Sequence, residues 1–300
     1  MDNVRGALLM VFAMAGFAIE DAFVKFLSRD ISVGHILILF GIGGTLIFTI
    51  AALLRGDRLF TRDAFRAPLL LRNLGELIAA LSFVTALSLA DLSVVSAILQ
   101  AQPLAITLAA ALFLGEAVGW RRWSAIAIGF LGVLMIIRPG LAGFTPVSLL
   151  PLIAVFALAL RDLATRFTPA IVTTRTISAY GFATLIFAGL GLCLVTGEPL
   201  MPPPFPIWAL LLGIAFGSAG YYGVVAAMRV GEVSFVSPFR YSRLLFALIL
   251  GILIFSERPD LLTYLGSALI IASGIYTILR ERRLARKGRT TIAGGNAPLS

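Results

Sequence analysis

Long runs of apolar residues, interrupted by short clusters of charge, glycine and proline, dominate the chain. Runs of about 20 residues recur about ten times, and that length is what a helix needs to cross about 30 Å of hydrocarbon. Few positions remain between the runs for a separate soluble domain. The pattern predicts ten membrane-spanning helices, near residues 6–27, 33–54, 69–90, 92–114, 122–138, 147–168, 174–195, 207–228, 233–255 and 261–279.

Composition agrees with this pattern. The 300 residues are 59% hydrophobic and 13% charged, with a mean hydropathy of +1.00, whereas soluble domains are about 45–50% apolar and about 25% charged. The fold class predicted is therefore an all-α membrane protein. The first span contains Glu20 and Asp21 and leads almost directly into the second, so we expect a retained helix and not a cleaved leader.

The distribution of positive charge predicts the orientation. Of the 24 Lys and Arg residues, sixteen fall on the cytosolic side if the N-terminus is cytosolic, four fall on the other side and four lie inside spans. Cytosolic loops are enriched in Lys and Arg, so we expect an inner-membrane protein with both termini in the cytosol. This rule explains the net charge of +9 better than a nucleic-acid partner does, because the positive residues form no soluble basic face.

The rare residue types exclude several chemistries. One histidine, His35, and one cysteine, Cys193, do not suffice for a zinc centre, a haem attachment, an iron–sulfur cluster or a disulfide. No cofactor is therefore predicted. The chain also lacks a His-Glu-x-x-His motif, a Gly-x-Ser-x-Gly motif and a Gly-rich phosphate loop, which disfavours an enzyme and an ATP-driven pump.

The chain repeats itself at a shift of 141 residues. Each half has five predicted spans, and because five is odd the second half enters the membrane from the opposite side, which makes the repeat inverted and typical of transporters. We expect a first repeat over 1–140, a second over 141–282 and a basic, disordered cytoplasmic tail over 283–300. The matching landmarks are Glu20-Asp21 with Arg161-Asp162, Asp91–Ser96 with Glu232–Ser237, and Glu116 with Glu257.

These landmarks resemble the EamA branch of the drug/metabolite transporter superfamily, which is built from two five-helix repeats. The resemblance implies transport of a small organic molecule; members move amino acids, cationic drugs, vitamins, nucleotide-like metabolites or sugar conjugates. This chain departs from the family by having Leu244 opposite Pro103, with Pro238 six residues earlier, so we expect the ninth span to break near its cytoplasmic end. The matching motifs are the Pro103 span ending in Leu114-Gly115-Glu116, its counterpart ending in Phe255-Ser256-Glu257, and Gly129, Gly132, Gly266 and Gly274.

Ionisable residues inside the spans are the main functional candidates, because each costs about 2.5–3.5 kcal/mol near the bilayer centre. The basic members are Arg72, Arg161, Arg240 and Arg243, and the acidic members are Glu20, Asp21, Glu76 and Asp162. Equal numbers suggest mutual pairing. Arg72 and Glu76 are four residues apart on one helix, so we expect them to pair with each other for structural reasons.

Two interpretations of Arg240 and Arg243 stay open. Both lie on the ninth span beside Pro238, where a planar guanidinium is suited to hold a substrate carboxylate or phosphate. In the other interpretation Glu20, Asp21 or Asp162 neutralises them permanently. A carboxyl group in a low-dielectric cavity can also carry a proton, so proton coupling through Glu20 or Asp21 is a hypothesis beside uncoupled transport.

Polar and aromatic residues complete the candidate site. Two glutamines flank Pro103, and three tyrosines lie in the eighth and ninth spans, where they suit either an amphipathic ligand or helix packing. Glu116 and Glu257 end spans, and we expect each to cap the helix that follows. The candidate substrate-binding or coupling residues are Glu20, Asp21, Gln100, Gln102, Arg161, Asp162, Tyr221, Tyr222, Arg240, Tyr241 and Arg243.

The sequence therefore predicts a secondary transporter. The paired intramembrane arginines favour an amino acid or related compound with an anionic group as substrate, moved outward by alternating access. Import of a vitamin or nucleoside-like compound and export of cationic drugs stay as alternatives, and a membrane enzyme or structural protein is the alternative from another class. The partners expected are the substrate, the lipid bilayer and, if transport is coupled, protons; the chain acts as a monomer or homodimer.

Overall fold

The computed structural model describes residues 2–60, 66–113, 119–139, 145–169, 171–230 and 233–294. Every regular element in these ranges is helical. Short 3₁₀ turns at Pro146–Ser148 and Ser237–Tyr241 lead into longer helices. The helices are α1 (Asn3–Leu27), α2 (Val33–Leu53), α3 (Ala67–Leu89), α4 (Leu92–Leu99), α5 (Gln102–Phe113), α6 (Trp120–Ile137), α7 (Leu149–Arg166), α8 (Thr174–Thr196), α9 (Ile207–Val230), α10 (Val233–Val236), α11 (Ser242–Phe255) and α12 (Leu261–Gly294).

Nine helical segments within the described residues are long and apolar enough to cross a membrane. The α4–α5 segment counts as one of them, over Leu92–Phe113. The remaining predicted span, 122–138, corresponds to α6, whose apolar part, Trp123–Ile137, is shorter. The fold is thus an all-helical, multi-pass membrane fold, and the boundaries predicted from the sequence lie within a few residues of the observed ends, except at the end of the last helix.

Two of the spans are broken where the sequence places proline. Between α4 and α5 the helix is interrupted at Gln100 and Ala101, and Pro103 falls in the first turn of α5, where its missing amide costs nothing. In the second half, Pro238 lies in the 3₁₀ turn Ser237–Tyr241 ahead of α11. The break predicted near Pro238 is confirmed.

Helices of the two halves pack on each other more than on their own neighbours. The principal pairs are α1 with α9, α3 with α7, α2 with α8, and α6 with α12. Glycines allow the close approach: a Cβ added to Gly16 would lie 2.9 Å from the Phe216 carbonyl oxygen, and one added to Gly75 would lie 2.8 Å from the Ala157 carbonyl oxygen. These two contacts are equivalent under the shift of 141 residues.

The last helix is longer than expected. It continues past residue 282 to Gly294, so that part of the tail that we expected to be disordered is helical. Arginine, lysine, leucine and alanine, which dominate residues 280–287, are strong helix formers and extend the helix beyond its apolar portion. Residues 295–300 of the predicted tail lie outside the described part of the chain.

Candidate functional site

A buried ion pair joins the two halves near the centre of the molecule. The Asp21 carboxylate on α1 accepts hydrogen bonds from Arg243 on α11, at 2.7 Å and 2.9 Å from Nη2 and 3.1 Å from Nε. The side chains are 4% and 19% exposed, respectively. The Arg243 guanidinium also lies 5.3 Å from the Phe17 ring centre and 5.7 Å from that of Phe83. Arg243 is therefore neutralised inside the protein.

A second group of polar side chains surrounds Asp162 on α7. One carboxylate oxygen accepts a hydrogen bond from Gln102 Nε2 at 2.9 Å, and the other accepts from Arg161 Nε at 2.8 Å. Arg161 also reaches Glu76 at 3.5 Å, and Glu76 pairs with Arg72 at 3.1 Å. The predicted Arg72–Glu76 pair is present, and Arg161 extends it into a network.

The two groups are related by the sequence repeat. A shift of 141 residues takes Asp21 to Asp162 and Gln102 to Arg243, so Asp21–Arg243 and Asp162–Gln102 are equivalent contacts. The same shift takes Glu20 to Arg161. Arg161 is held by Glu76, but the position equivalent to Glu76 is Gly217, which has no side chain.

Glu20 consequently meets no charged side chain among the described residues of the facing helix α9, and the charges that act on it are those of Asp21 and Arg243. Its carboxyl group lies against the Gly217 backbone on α9, because a Cβ added there would overlap it. Within the described part of the chain it makes no hydrogen bond or ion pair. A carboxyl group in this setting is a candidate to take up and release a proton.

Arg240 differs from Arg243. It lies in the 3₁₀ turn before α11, its side chain is exposed, and among the described residues its guanidinium forms no ion pair. Gln100 Nε2 donates to its backbone carbonyl at 3.4 Å, and the charges of Asp162 and Arg161 act on it. Those side chains are 30% and 27% exposed, so this end of the polar cluster is only partly enclosed by protein.

The three candidate tyrosines have different environments. Tyr221 accepts a hydrogen bond from Ser178 Oγ at 2.5 Å and packs edge-on against Phe48. Tyr241 is 5% exposed, its hydroxyl lies against Gly274, and within the described residues that hydroxyl has no hydrogen-bond partner. Tyr222 is 73% exposed, on the same face of α9 as exposed Trp208, and it lies apart from the cluster.

A network of contacts between the halves surrounds Glu257, which lies at the end of α11 opposite to Arg240. The Glu257 carboxylate accepts hydrogen bonds from the backbone amides of Leu92, at 2.6 Å, and Ser93, at 2.9 Å, and from Ser93 Oγ at 2.6 Å. Lys25 Nζ lies 3.5 Å from Glu257 and donates to the Ala90 carbonyl. We call Lys25, Ala90, Leu92, Ser93 and Glu257 the closed-end network.

The expectation that Glu257 caps the following helix is wrong. It caps α4, in the other half, because the chain reversal at Ser256 (φ 55°) turns it away from α12. Asp260 caps α12 instead, accepting from the Thr263 amide at 3.0 Å. Hydrogen bonds from Arg138 and Thr263 lower the pKa of Asp260 to about 2. Glu116, the repeat counterpart of Glu257, lies outside the described residues.

His35, Cys193 and Glu198 come together at one end of α2, with potential ligand atoms within 4.8 Å of one another. Composition alone did not anticipate this cluster. Both His35 ring nitrogens are already hydrogen-bonded, to Ser32 Oγ at 2.9 Å and to the Pro199 carbonyl at 2.7 Å. The imidazole therefore links the start of α2 to the Pro199 backbone and has no free nitrogen for a metal.

Sequence reasoning treated Glu76 as purely structural and did not connect Lys25 and Ser93 with Glu257. The alignment of the two repeats contained a signal for both the Glu76 network and the Glu257 contacts. Glu76 falls opposite Gly217, and the Asp91–Ser96 string recurs at Glu232–Ser237. Local spacing does not reveal such contacts, because they join residues from different halves.

Comparisons with known proteins agree with this architecture. The profile of the EamA-like transporter family matches residues 4–138 and again 145–280. A solved protein structure with 22% sequence identity superposes with a TM-score of 0.60, covering 93% of this chain and 98% of its own, which supports the fold alone.

Three characterised relatives are named as transporters. The riboflavin transporter of Rhizobium johnstonii is 27% identical over 95% of this chain and 94% of its own. The S-adenosylmethionine uptake transporter of Rickettsia felis is 25% identical over 73% and 74%. The pseudopaline exporter CntI of Pseudomonas aeruginosa is 28% identical over 90% and 94%. These names support a small-molecule transporter in a bacterial membrane.

Proposed function

This chain belongs to the EamA-like transporter family, and we propose from that premise that it exports a small organic metabolite carrying an anionic group, such as an amino acid or a related compound. In this proposal ten helices form two inverted five-helix repeats over 1–140 and 141–282, both termini lie in the cytosol, and the substrate binds between the repeats.

The observation that carries the proposal is the state of Arg240. Arg243 is neutralised by Asp21, whereas the exposed guanidinium of Arg240 forms no ion pair with any described residue. An exposed guanidinium with no ion-pair partner in the protein keeps its planar set of N–H donors available to a ligand. A substrate carboxylate or phosphate would be held there by two parallel hydrogen bonds.

The surroundings of Arg240 suit an amino-acid-like substrate. Asp162, one oxygen of which is held by Gln102 and the other by Arg161, lies near enough for its charge to act on Arg240. An ammonium group on the substrate would be attracted to Asp162 while its carboxylate binds Arg240. Gln100 and Gln102 add amide groups that can hydrogen-bond uncharged parts of the ligand.

The equivalent contacts in the two halves support the inverted arrangement. Asp21–Arg243 matches Asp162–Gln102, and the Gly16–Phe216 contact matches Gly75–Ala157. Matching contacts of this kind are expected when a two-fold axis in the membrane plane relates the repeats, an arrangement that gives two states of similar energy.

The difference between the two ends supports the proposal of alternating access. Glu257 follows the end of α11 and Arg240 precedes its start, so about 21 Å of helix separates the two at 1.5 Å per residue. The closed-end network joins the halves at the Glu257 end, whereas at the other end Arg240 is exposed and Arg161 and Asp162 are 27% and 30% exposed. In the proposed orientation the cytosolic side is the open one, so the structure corresponds to an inward-facing state.

The test is ligand binding and transport by Arg240→Ala. Purified protein is screened by thermal shift against amino acids, nucleotides, riboflavin and cationic dyes, because a ligand that binds the folded state raises the Tm. For an anionic ligand we expect Arg240→Ala to weaken binding at least about tenfold, since hydrogen bonds to charged groups contribute about 1.5–3 kcal/mol. Arg58→Ala, an exposed arginine in a loop, is the matched control.

If the same concentration of an anionic ligand stabilises Arg240→Ala as much as it stabilises the unchanged protein, Arg240 is not part of the binding site. Transport of the identified ligand is then followed in proteoliposomes loaded on either side, which measures the direction of movement.

Vitamin import is the second candidate, favoured by the relative of Rhizobium johnstonii that is named a riboflavin transporter and aligns over nearly the whole chain. The screen separates the two candidates. Stabilisation by riboflavin alone, unchanged in Arg240→Ala, would support the vitamin and assign Arg240 a structural role.

Glu20 is the group that we propose for proton coupling. Its carboxyl group faces Gly217 and meets no cation on that helix, so it can change protonation without breaking an ion pair. In proteoliposomes with a pH-sensitive dye inside, substrate movement by the unchanged protein should move protons, and Glu20→Gln should abolish the proton signal. Substrate flux without proton movement in the unchanged protein would show that transport is uncoupled.

A further inference from the structure

A groove of about 370 Å³ runs along the outer surface between α6 and α12, away from the polar cluster. Its floor consists of small side chains, among them Ser124, Ala125, Ala272 and Ser273, and its rim carries Trp120 and Tyr276. The volume is in the range of ligand sites. The groove faces the surroundings of the helix bundle, where a membrane supplies lipid.

One end of the groove is basic. The Arg121 guanidinium is held 5.3 Å from the centre of the Trp120 ring at the groove mouth. Arg280 on α12 lies near the start of α6: a Cβ added to Gly119 would be 3.8 Å from Arg280 Nη2, and Arg280 Nη1 is buried without a hydrogen-bond partner among the described residues. Two guanidinium groups therefore flank the first turn of α6.

Among the described residues that line the groove, none is acidic. The stretches 120–137 and 261–280 contain no aspartate or glutamate. At the N-terminus of α6, an 18-residue helix, the N-cap residue Gly119 has no side chain to cap the first amides, and the positive end of the helix dipole adds to the positive potential. The groove thus combines a basic end with an apolar floor.

The aromatic residues fix the depth of the basic end. Trp120, Trp123 and Tyr276 are 73%, 41% and 46% exposed, and such rings settle at the level of the lipid headgroups. An anion bound by Arg121 and Arg280 would therefore lie at headgroup depth, with the groove floor reaching from there toward the bilayer interior.

We propose that this groove binds one anionic phospholipid. Its phosphodiester lies between Arg121, Arg280 and the first amides of α6, and one acyl chain lies over Ala125, Ile128 and Ala272. Basic pockets between membrane helices bind anionic headgroups in this way. The site is separate from the proposed transport site, so either proposal can fail without the other.

The experiment is native mass spectrometry of delipidated full-length protein titrated with phosphatidylglycerol or with phosphatidylcholine of the same acyl chains. We expect tighter binding of phosphatidylglycerol, weakened about fivefold in Arg121→Ala, because one basic residue near an anionic lipid contributes about 1 kcal/mol. Arg58→Ala, which removes an exposed arginine elsewhere, should bind as the unchanged protein does. Ala272→Trp, which fills the groove but keeps both arginines, should prevent binding of either lipid.

Glycerol phosphate, added as a competitor, separates a lipid from a free phosphate, and we expect it not to displace the lipid. Displacement at equal concentration would overturn the lipid assignment, as would equal phosphatidylglycerol affinity in Arg121→Ala and the unchanged protein. Loss of a dimer in Ala272→Trp, with lipid binding unchanged, would assign the groove to a second copy of the chain. Unchanged Tm values establish that the variants are folded.

Discussion

Asp21 and Arg243 form a buried ion pair that joins the two halves, with side chains 4% and 19% exposed. Taking both charges out of water is costly, and their attraction repays that cost only when the geometry is good and the remaining lone pairs are satisfied. Here Arg243 donates three hydrogen bonds to one carboxylate. The pair therefore binds α1 to α11 specifically.

Replacing one partner of the Asp21–Arg243 pair should lower the free energy of unfolding far more than replacing both. Arg243→Met leaves a buried, uncompensated carboxylate, which should lower the free energy of unfolding by about 3 kcal/mol or more. Asp21→Leu combined with Arg243→Met should regain most of that loss, because no charge is left in the apolar site. Denaturant unfolding of the purified variants measures both, and equal destabilisation by the single and double variants would contradict the pairing.

The residues themselves showed which groups were candidates but not which ones pair. Spacing along one helix correctly predicted Arg72–Glu76. It left the partner of Arg243 open among three acids, because α1, α7 and α11 are far apart in sequence and their rotation about their axes depends on packing. The prediction that Tyr222 belongs to the site is affected in the same way, because the sequence does not give the rotation of α9, and Tyr222 lies on its outward face.

At the scale of helices, the contacts between α1 and α9 and between α3 and α7 depend on glycine. Gly16→Ala places a methyl group 2.9 Å from a backbone oxygen of α9, and moving a backbone costs about 1–3 kcal/mol. We expect this variant to melt several degrees lower in a thermal denaturation series.

Gly191→Ala is the matched control, because nothing lies within 4 Å of the added carbon on α8. It should keep or slightly raise the Tm, since alanine favours a helix over glycine by about 0.5–1 kcal/mol. Equal melting of the two variants would show that the close approach at Gly16 adds nothing to stability.

Helix positions were the most predictable feature of the chain. Apolar length marked the segments, and proline marked the breaks at Pro103 and Pro238. The extension of α12 to Gly294 was missed because the basic residues beyond 280 were judged by their charge, which favours solvent, and not by their helix propensity. Apolar pattern predicts where a helix is buried better than where it ends.

At the scale of the whole molecule, the closed-end network is the contact that must break if the site is to open on the other side. Glu257→Gln removes the charge that binds Leu92, Ser93 and Lys25. The protein should then open more often at this end. A cysteine placed at Ser96, buried one turn behind Ser93, should react with an impermeant maleimide at least about tenfold faster, given about 1.5–3 kcal/mol for hydrogen bonds to a charge.

Asp30→Asn, which neutralises an exposed acid close to the network in the loop after α1, is the control and should leave the rate unchanged. A rate in Glu257→Gln equal to that of the unchanged protein, with the Tm retained, would show that another contact keeps this end shut.

The packing of each half on the other also bears on how the protein is made. Because α1 packs mainly on α9 and α3 mainly on α7, the helices that leave the ribosome first lack their principal neighbours until much later ones are inserted. Until α7, α9 and α11 are inserted, the helix surfaces around Gly16 and Gly75 and the carboxylate of Asp21 lack their partners. The nascent first half is therefore a substrate for insertion chaperones and membrane proteases, and the speed of translation through α7 to α11 sets how long it stays exposed to them.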